Sequence, residues 1–215
     1  MKAGRFISIE GGEGAGKSTS VAYIQDYLQS RGIDLISTRE PGGTKLAEEL
    51  RGLLLDHHAE KVDPYTELLM MFAARRQHIT EVIRPALAAG KWVLCDRFTD
   101  ASYAYQGYGR KLPLAFIDSL AKWVHGDTNP HLTLLLDVDI EVGMQRARQR
   151  NSLDRIESEA MTFFEAVRQG YLARAKAEPY RFQVVDAGLD IVFVEQQIEQ
   201  ALQTLCLGVK NHADA

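Results

Sequence analysis

The chain has 215 residues, 46% hydrophobic and 25% charged, with a net charge of −4. A chain of this length buries roughly 70% of its unfolded surface without staples, and the mildly acidic balance argues against a dedicated nucleic-acid binder, which carries a basic excess. The only cysteines are Cys95 and Cys206, the first apolar run is broken at Glu10, and no stretch reaches the ~18 apolar residues of a membrane span, so the expectation is one reduced, cytoplasmic domain over residues 1–215, with no signal peptide and no membrane partner.

In chain order, Arg5–Glu10 predicts a strand that enters a glycine-rich turn, and Lys17–Ser30 predicts a helix stopped at Arg31-Gly32. Ile33–Thr38 predicts a second strand. Thr44–Leu55 carries apolar residues at 46, 47, 50, 53 and 54, a helical stripe. Pro64–Ala89 predicts a longer helical region that Pro85 kinks or divides. Trp92–Cys95, Leu132–Leu136 and Phe182–Val185 predict three more strands, each followed by an aspartate; the second of these is almost wholly apolar, as a strand covered on both faces should be. Glu159–Lys176 is amphipathic and suits either a core helix or a partner helix. Strands alternating with helices imply an α/β fold with right-handed crossovers, a five-stranded parallel sheet flanked by helices in a three-layer sandwich. Ligands in such sheets sit at the carboxyl ends of the strands, where Glu10, Asp96 and Asp137 fall.

The turn Gly11-Gly12-Glu13-Gly14-Ala15-Gly16-Lys17-Ser18 satisfies every fixed position of the P-loop pattern and lies between a predicted strand and a predicted helix. Gly11, Gly12, Gly14, Ala15 and Gly16 let consecutive backbone N–H groups wrap a phosphate, and the helix behind them adds its positive end. Lys17 is expected to reach the β/γ-phosphates and the Ser18 hydroxyl to hold Mg²⁺, with Thr19 beside it in the ATP site. Glu13 has no place in a phosphate cradle, because like charges repel. The P-loop NTPase reading fixes a nucleotide but not a reaction. No guanine-reading Asn/Thr-Lys-x-Asp segment follows, and the length is that of a minimal monophosphate kinase.

Four later segments are more restrictive: Thr38-Arg39-Glu40-Pro41-Gly42-Gly43-Thr44, Asp96-Arg97-Phe98, Ala104-Tyr105-Gln106-Gly107 and Leu153-Asp154-Arg155-Ile156-Glu157. In this order, and spread over nearly the whole chain, the series resembles that of the bacterial thymidylate kinases. The resemblance implies phosphoryl transfer from ATP-Mg²⁺ to dTMP, giving dTDP and ADP for dTTP synthesis, by a homodimer that needs no nucleic acid. It places Glu40 near the phosphates and the metal, with Arg39 in support, and gives Arg51 the acceptor's phosphate, a task suited to a forked guanidinium. Arg75 is implied at the thymine edge. The family often has a ring four residues earlier, where this chain has Met71; the ring comes one place later, at Phe72. Phe72 is taken as the base cover, with a softer contact from Met71 as the alternative. Arg97 is implied to bridge the phosphates of both substrates, and Asp96 to orient Arg97 or a metal-bound water. Ser102 and Gln106, four apart on one helical face, lie beside the base, with Gln106 hydrogen-bonded to it. Tyr105 stands where a ribose 2′-OH would go, and Glu13 takes the deoxyribose 3′-OH.

Arg146, Arg148 and Arg150 recur at every second residue and Arg155 follows, with a helix break at Asn151-Ser152. A solvated basic face is the plain reading. The resemblance makes 146–157 a mobile lid that supplies the catalytic arginine which the P-loop lacks, with Arg150 aligning best and Arg146 next. Closure would exclude water. The competing readings are a kinase for another base, a P-loop switch module that hydrolyses little, and nucleic-acid binding through the lid. Tyr105-Gln106 disfavours guanine without separating thymine from uracil. Arg51, Arg75 and Arg97 are more cations than a switch needs, and the lid has no stacking aromatics.

Overall fold

β1 (Phe6–Gly11) runs through the middle of the sheet, and all of its residues are buried. The computed structural model describes residues 4–149 and 154–210. Among these, β2 (Leu35–Arg39), β3 (Trp92–Asp96), β4 (Leu132–Asp137) and β5 (Phe182–Asp186) complete a five-stranded sheet in the order β2-β3-β1-β4-β5. Every pairing is parallel.

The period of two along each strand assigns its side chains to two layers. Ile7 and Ile9, with Leu132, Leu134 and Leu136, face α1 (Lys17–Gln29) and α9 (Ile191–Lys210), where Ile24, Leu28, Ile198 and Leu202 meet them. Phe6, Val93 and Cys95 face the opposite layer, built from α3 (Pro64–His78) and α6 (Leu114–His125). Leu135 on that same side packs under α8 (Met161–Ala177), against Phe163, Phe164 and Tyr171. The continuous apolar run of β4 is thus consumed on both faces, as the expected three-layer sandwich requires.

Several boundaries move for identifiable reasons. β2 starts at Leu35 rather than Ile33, because the Ile33 N–H is spent on the Leu28 carbonyl at 3.1 Å, closing the end of α1. The long helical region is divided as Pro85 demands. α3 gives way to a π turn, Ile79–Ile83, in which the Arg84 N–H reaches back to the Ile79 carbonyl, and α4 (Arg84–Ala88) follows. A proline without an N–H leaves the regular ladder one bond short, and the wider turn absorbs the defect. A second π stretch, Tyr103–Gly109, continues α5 (Thr99–Ser102).

The chain leaves β1 for β2 on one side of the sheet and returns to β4 on the other. The strand order therefore reverses beside β1, and the crevice at its carboxyl end is the topological switch point where ligands of such sheets bind.

Candidate active site

Above that crevice lies a cavity of about 500 Å³. Of the residues expected at the site, Glu13, Gly14, Ala15, Gly16, Lys17, Ser18, Thr19, Glu40, Arg51, Arg75, Asp96, Arg97, Ser102, Tyr105, Gln106 and Arg146 line it. Gly11, Gly12 and Phe72 do not line it, and Arg150 lies outside the described residues.

The phosphate end is built by the turn from β1 to α1. Gly16 caps the helix at φ 84 and ψ 19, with no side-chain hydrogen bond to the first turn. A helix start left open in this way offers its orphan N–H groups, and the positive end of its dipole, to an anion. At Gly14 (φ 67) a Cβ would come within 1.9 Å of the Gly143 carbonyl, so the loop rests directly on α7 (Ile140–Arg148). The Lys17 Nζ donates to the carbonyls of Gly11 at 3.1 Å and Gly12 at 2.8 Å. Burial, and then the charge of Arg97, push the Lys17 ammonium down to about 8. Arg51, at the other wall, donates to the Pro41 carbonyl at 2.9 Å.

Arg97 follows β3 with φ 67, a left-handed conformation unusual for a residue with a side chain. From there its guanidinium donates to the Gly11 carbonyl (2.9 Å), the Tyr171 hydroxyl (3.1 Å) and Glu13 Oε1 (2.8 Å), and it stacks on the Tyr105 ring at 4.9 Å. The Tyr105 hydroxyl donates to the same Glu13 oxygen at 2.6 Å. Behind Arg97 the Tyr171 hydroxyl donates to Glu10 Oε2 at 2.9 Å, and Glu10 Oε1 takes the Phe98 N–H at 2.7 Å. Burial first, and then the charge of Asp100, push the Glu10 carboxyl up to about 8. Asp96 Oδ1 is buried and makes no hydrogen bond to a described residue. An orphaned carboxylate oxygen on the wall of a phosphate site, in a cavity that Ser18 also lines, is a hard oxygen donor of the kind Mg²⁺ takes, directly or through water.

The other end, where the base is expected, is a closed network. Arg75 is 2% exposed and donates through Nε to Glu40 Oε2 (2.6 Å), through one Nη to the Ser102 hydroxyl (3.1 Å) and through the other to the Phe98 carbonyl (3.2 Å). Glu40 Oε1 pairs with His78 Nδ1 at 3.0 Å, and His78 Nε2 with the Thr38 hydroxyl at 2.7 Å. Against burial, which raises a carboxyl, the Arg75 charge and the His78 hydrogen bond hold Glu40 below the usual carboxylate range. Gln106, 1% exposed, donates to Glu67 Oε1 at 2.9 Å.

Three expectations change here. Glu40 is poorly placed for the metal: each of its oxygens already accepts from Arg75 or pairs with His78, and a cation there would sit beside the buried guanidinium. The same repulsion disfavours a cation at the trio Glu40, His78 and Cys95, whose donor atoms lie within 4.8 Å of one another. Arg39 does not support Glu40; it turns outward to Glu48 at 2.9 Å. Phe72 does not reach the cavity. It is 2% exposed among Phe6, Leu68 and Phe98, with the Arg75 guanidinium 4.7 Å over its ring, while Met71, four residues before Arg75, lines the cavity. Residues four apart share a helix face, whereas residue 72 is turned about 100° away from 71.

On the lid side, Arg146 donates to the Ala187 carbonyl at 3.1 Å. Arg155 is anchored rather than free, bonded to the Leu54 carbonyl (2.9 Å) and Glu67 (2.7 Å). Sequence reasoning gave no role to His78, Glu67 or Tyr171, and placed Glu10 only at the carboxyl end of its strand. The signal for Glu10 and Glu67 was a carboxylate inside an apolar stretch, which is buried only when paired.

The model of one protein family, described as Thymidylate kinase, matches residues 9–198. A thymidylate kinase of Teredinibacter turnerae is 56% identical over 200 residues, covering 93% of this chain and 98% of that one. One of Pseudomonas fluorescens is 54% identical over 202 residues, covering 94% and 96%. Among solved structures, thymidylate kinase from Ehrlichia chaffeensis superposes with a TM-score of 0.75 at 36% identity, covering 93% of this chain and 99% of that one.

Proposed function

We infer that this chain, which belongs to the thymidylate kinase family, transfers the γ-phosphoryl group of ATP to dTMP. An oxygen of the dTMP phosphate attacks the γ-phosphorus, the bond from that phosphorus to the β-bridging oxygen breaks, and dTDP and ADP result. The observation that carries the reading is one cavity with a phosphate cradle at one end and a closed polar network at the other, spanned by Arg97 and Tyr105.

Each wall has a task in that reaction. The open start of α1 and Lys17 hold the ATP phosphates, and Arg51 holds the dTMP phosphate. Arg97 stands between them and stabilises the charge spread over the oxygens in transfer. Ser18 and Asp96 would hold Mg²⁺, which would supply positive charge to the ATP phosphates. Met71 covers the base face, while Arg75 donates to the base O4 and Gln106 accepts its N3–H. Tyr105 occupies the place of a 2′-hydroxyl, and Glu13 accepts from the 3′-hydroxyl. Arg146, with Arg150 of the expected lid, brings further positive charge to the γ-phosphate.

One kinase domain over residues 1–215 acts as a homodimer in the cytoplasm. The apolar side chains Leu46, Leu53, Tyr65, Leu69, Phe116 and Trp123 support the dimer. They are exposed on α2 (Lys45–Leu55), α3 and α6, and Trp123 is 82% exposed. No helix of the described residues is long and apolar enough to cross a membrane.

The test is ADP release from ATP-Mg²⁺ with dTMP, dUMP, dGMP, dCMP, AMP or no acceptor, in parallel with light scattering for the oligomer. Turnover that depends on dTMP supports the reading. Acceptor-independent hydrolysis would sink it.

A further inference from the structure

Glu67 lies near the start of α3, where Asp63 caps the helix and Pro64 opens it. It does not line the cavity and it is 1% exposed. Its two oxygens receive a crowded set of donors. Oε1 accepts from Gln106 Nε2 (2.9 Å) and Arg110 Nε (3.2 Å), and Oε2 from Arg110 Nη2 (3.1 Å) and Arg155 Nη2 (2.7 Å). Arg110 grips the carboxylate with both arms of its fork and is held in turn by Glu159 at 2.5 Å. Arg155 is tied to the Leu54 carbonyl. This is far more bracing than an ion pair needs, and it leaves the carboxylate no freedom to turn.

What the bracing secures is the Gln106 amide. An amide has an acceptor end and a donor end of nearly equal shape, and an unconstrained glutamine presents either one. An ionised carboxylate only accepts, so it holds the NH₂ end of Gln106 and leaves the carbonyl end for the cavity. The consequence for a bound base is direct. Thymine and uracil present an N3–H donor beside O4, whereas cytosine presents a bare N3 acceptor beside an amino donor.

We propose that Glu67, which never touches substrate, is a positioning residue that sets the base preference by locking the Gln106 amide with its acceptor end toward the acceptor's base. The proposal rests on the dTMP-kinase reading of the same site. Burial alone would raise the Glu67 carboxyl, but the hydrogen bonds of Arg110 and Gln106 outweigh it and hold it below the usual range, which keeps it ionised and accept-only at neutral pH.

The experiment measures kcat/KM of the full chain with ATP-Mg²⁺ and dTMP, dUMP or dCMP, for the unmodified protein, Glu67→Gln and Arg110→Met. In Glu67→Gln the new side chain both donates and accepts, so Gln106 is free to reverse. The dTMP-over-dCMP ratio should fall about tenfold or more, chiefly through KM, while dTMP over dUMP stays fixed because those bases share the edge being read. Arg110→Met loosens the same cluster, but Arg155 still pairs with Glu67 and keeps it ionised, so the Glu67–Gln106 bond remains. It should lower the melting temperature and leave the base ratio within about twofold. An unchanged ratio in Glu67→Gln, or an equal shift in Arg110→Met, would overturn the proposal in favour of a purely structural ion cluster. If Glu67→Gln does not fold, Glu67→Asp, which keeps the charge but draws back from Gln106, reads the same ratio with the same expectation. Failure of the unmodified chain to use dTMP would instead overturn the kinase reading, and the base assignment with it.

Discussion

The two ends of the cavity hold their cations in opposite ways. At the phosphate end Lys17 and Arg51 rest on main-chain carbonyls, those of Gly11, Gly12 and Pro41, while Arg97 divides its donors among the Gly11 carbonyl, the Tyr171 hydroxyl and Glu13. At the base end Arg75 is bonded at each guanidinium nitrogen and paired to a carboxylate that is itself paired. A bond to a neutral carbonyl is cheaply exchanged for one to a phosphate oxygen, because a charged acceptor is the stronger partner. A buried ion pair is not cheaply exchanged for anything. On the proposed reading, the cations that must follow moving charge, Lys17 and Arg51, are therefore loosely tied, and the one that must recognise a fixed edge, Arg75, is locked.

If this contrast is right, substitutions at the phosphate end should cost rate and those at the base end should cost stability. Lys17→Ala should lower kcat about a thousandfold while shifting the melting temperature little, as read by ADP release and calorimetry. Glu40→Ala leaves Arg75 buried without its partner and should destabilise by about 3 kcal/mol or more, a fall of roughly 10 °C in melting temperature for a chain of this size. A rate loss in Glu40→Ala as large as that of Lys17→Ala, with no loss of stability, would break the comparison.

The pH dependence sharpens it. Glu40, Glu67 and Asp100 are all held below the ordinary carboxylate range when folded. Their contribution is fully present above the unfolded value near pH ~4 and is lost as pH falls through the lower folded values. Melting temperature should therefore drop steeply below pH ~4, and less steeply in Glu40→Ala. Smaller effects complete the order. Arg97→Lys keeps a charge but loses the fork and should cost about a hundredfold in kcat. Tyr105→Phe removes one hydrogen bond to Glu13 but keeps the ring under Arg97, and should cost less than about tenfold in kcat/KM.

The same contrast explains what could be read from the sequence. The phosphate end was legible because its chemistry is contiguous: a glycine run, a lysine and a helix start within eight residues, following a buried strand. The base end was legible as a set of residue types but not as a set of partners. Glu40 meets Arg75 and His78 across separations of 35 and 38 residues, and Tyr171 meets Glu10 across 161. No local pattern carries such pairings. The choice between Met71 and Phe72 failed for another reason. It depends on the rotational phase of α3, and an aromatic ring is as well suited to a core as to a base. The sheet was recovered nearly to its boundaries because apolar runs and strand-end aspartates are local signals, whereas the π turns arise from ladder defects that periodicity does not register.

Arg97 has one more consequence. A residue with a side chain held at φ 67 stores roughly 1–2 kcal/mol that glycine would not. Replacing it with glycine would relieve that strain, but it would give up the three hydrogen bonds and the ring stack that hold the guanidinium. The strain is thus carried by the side chain's own contacts, and a search for heat-tolerant variants that ignored activity would find little to gain there.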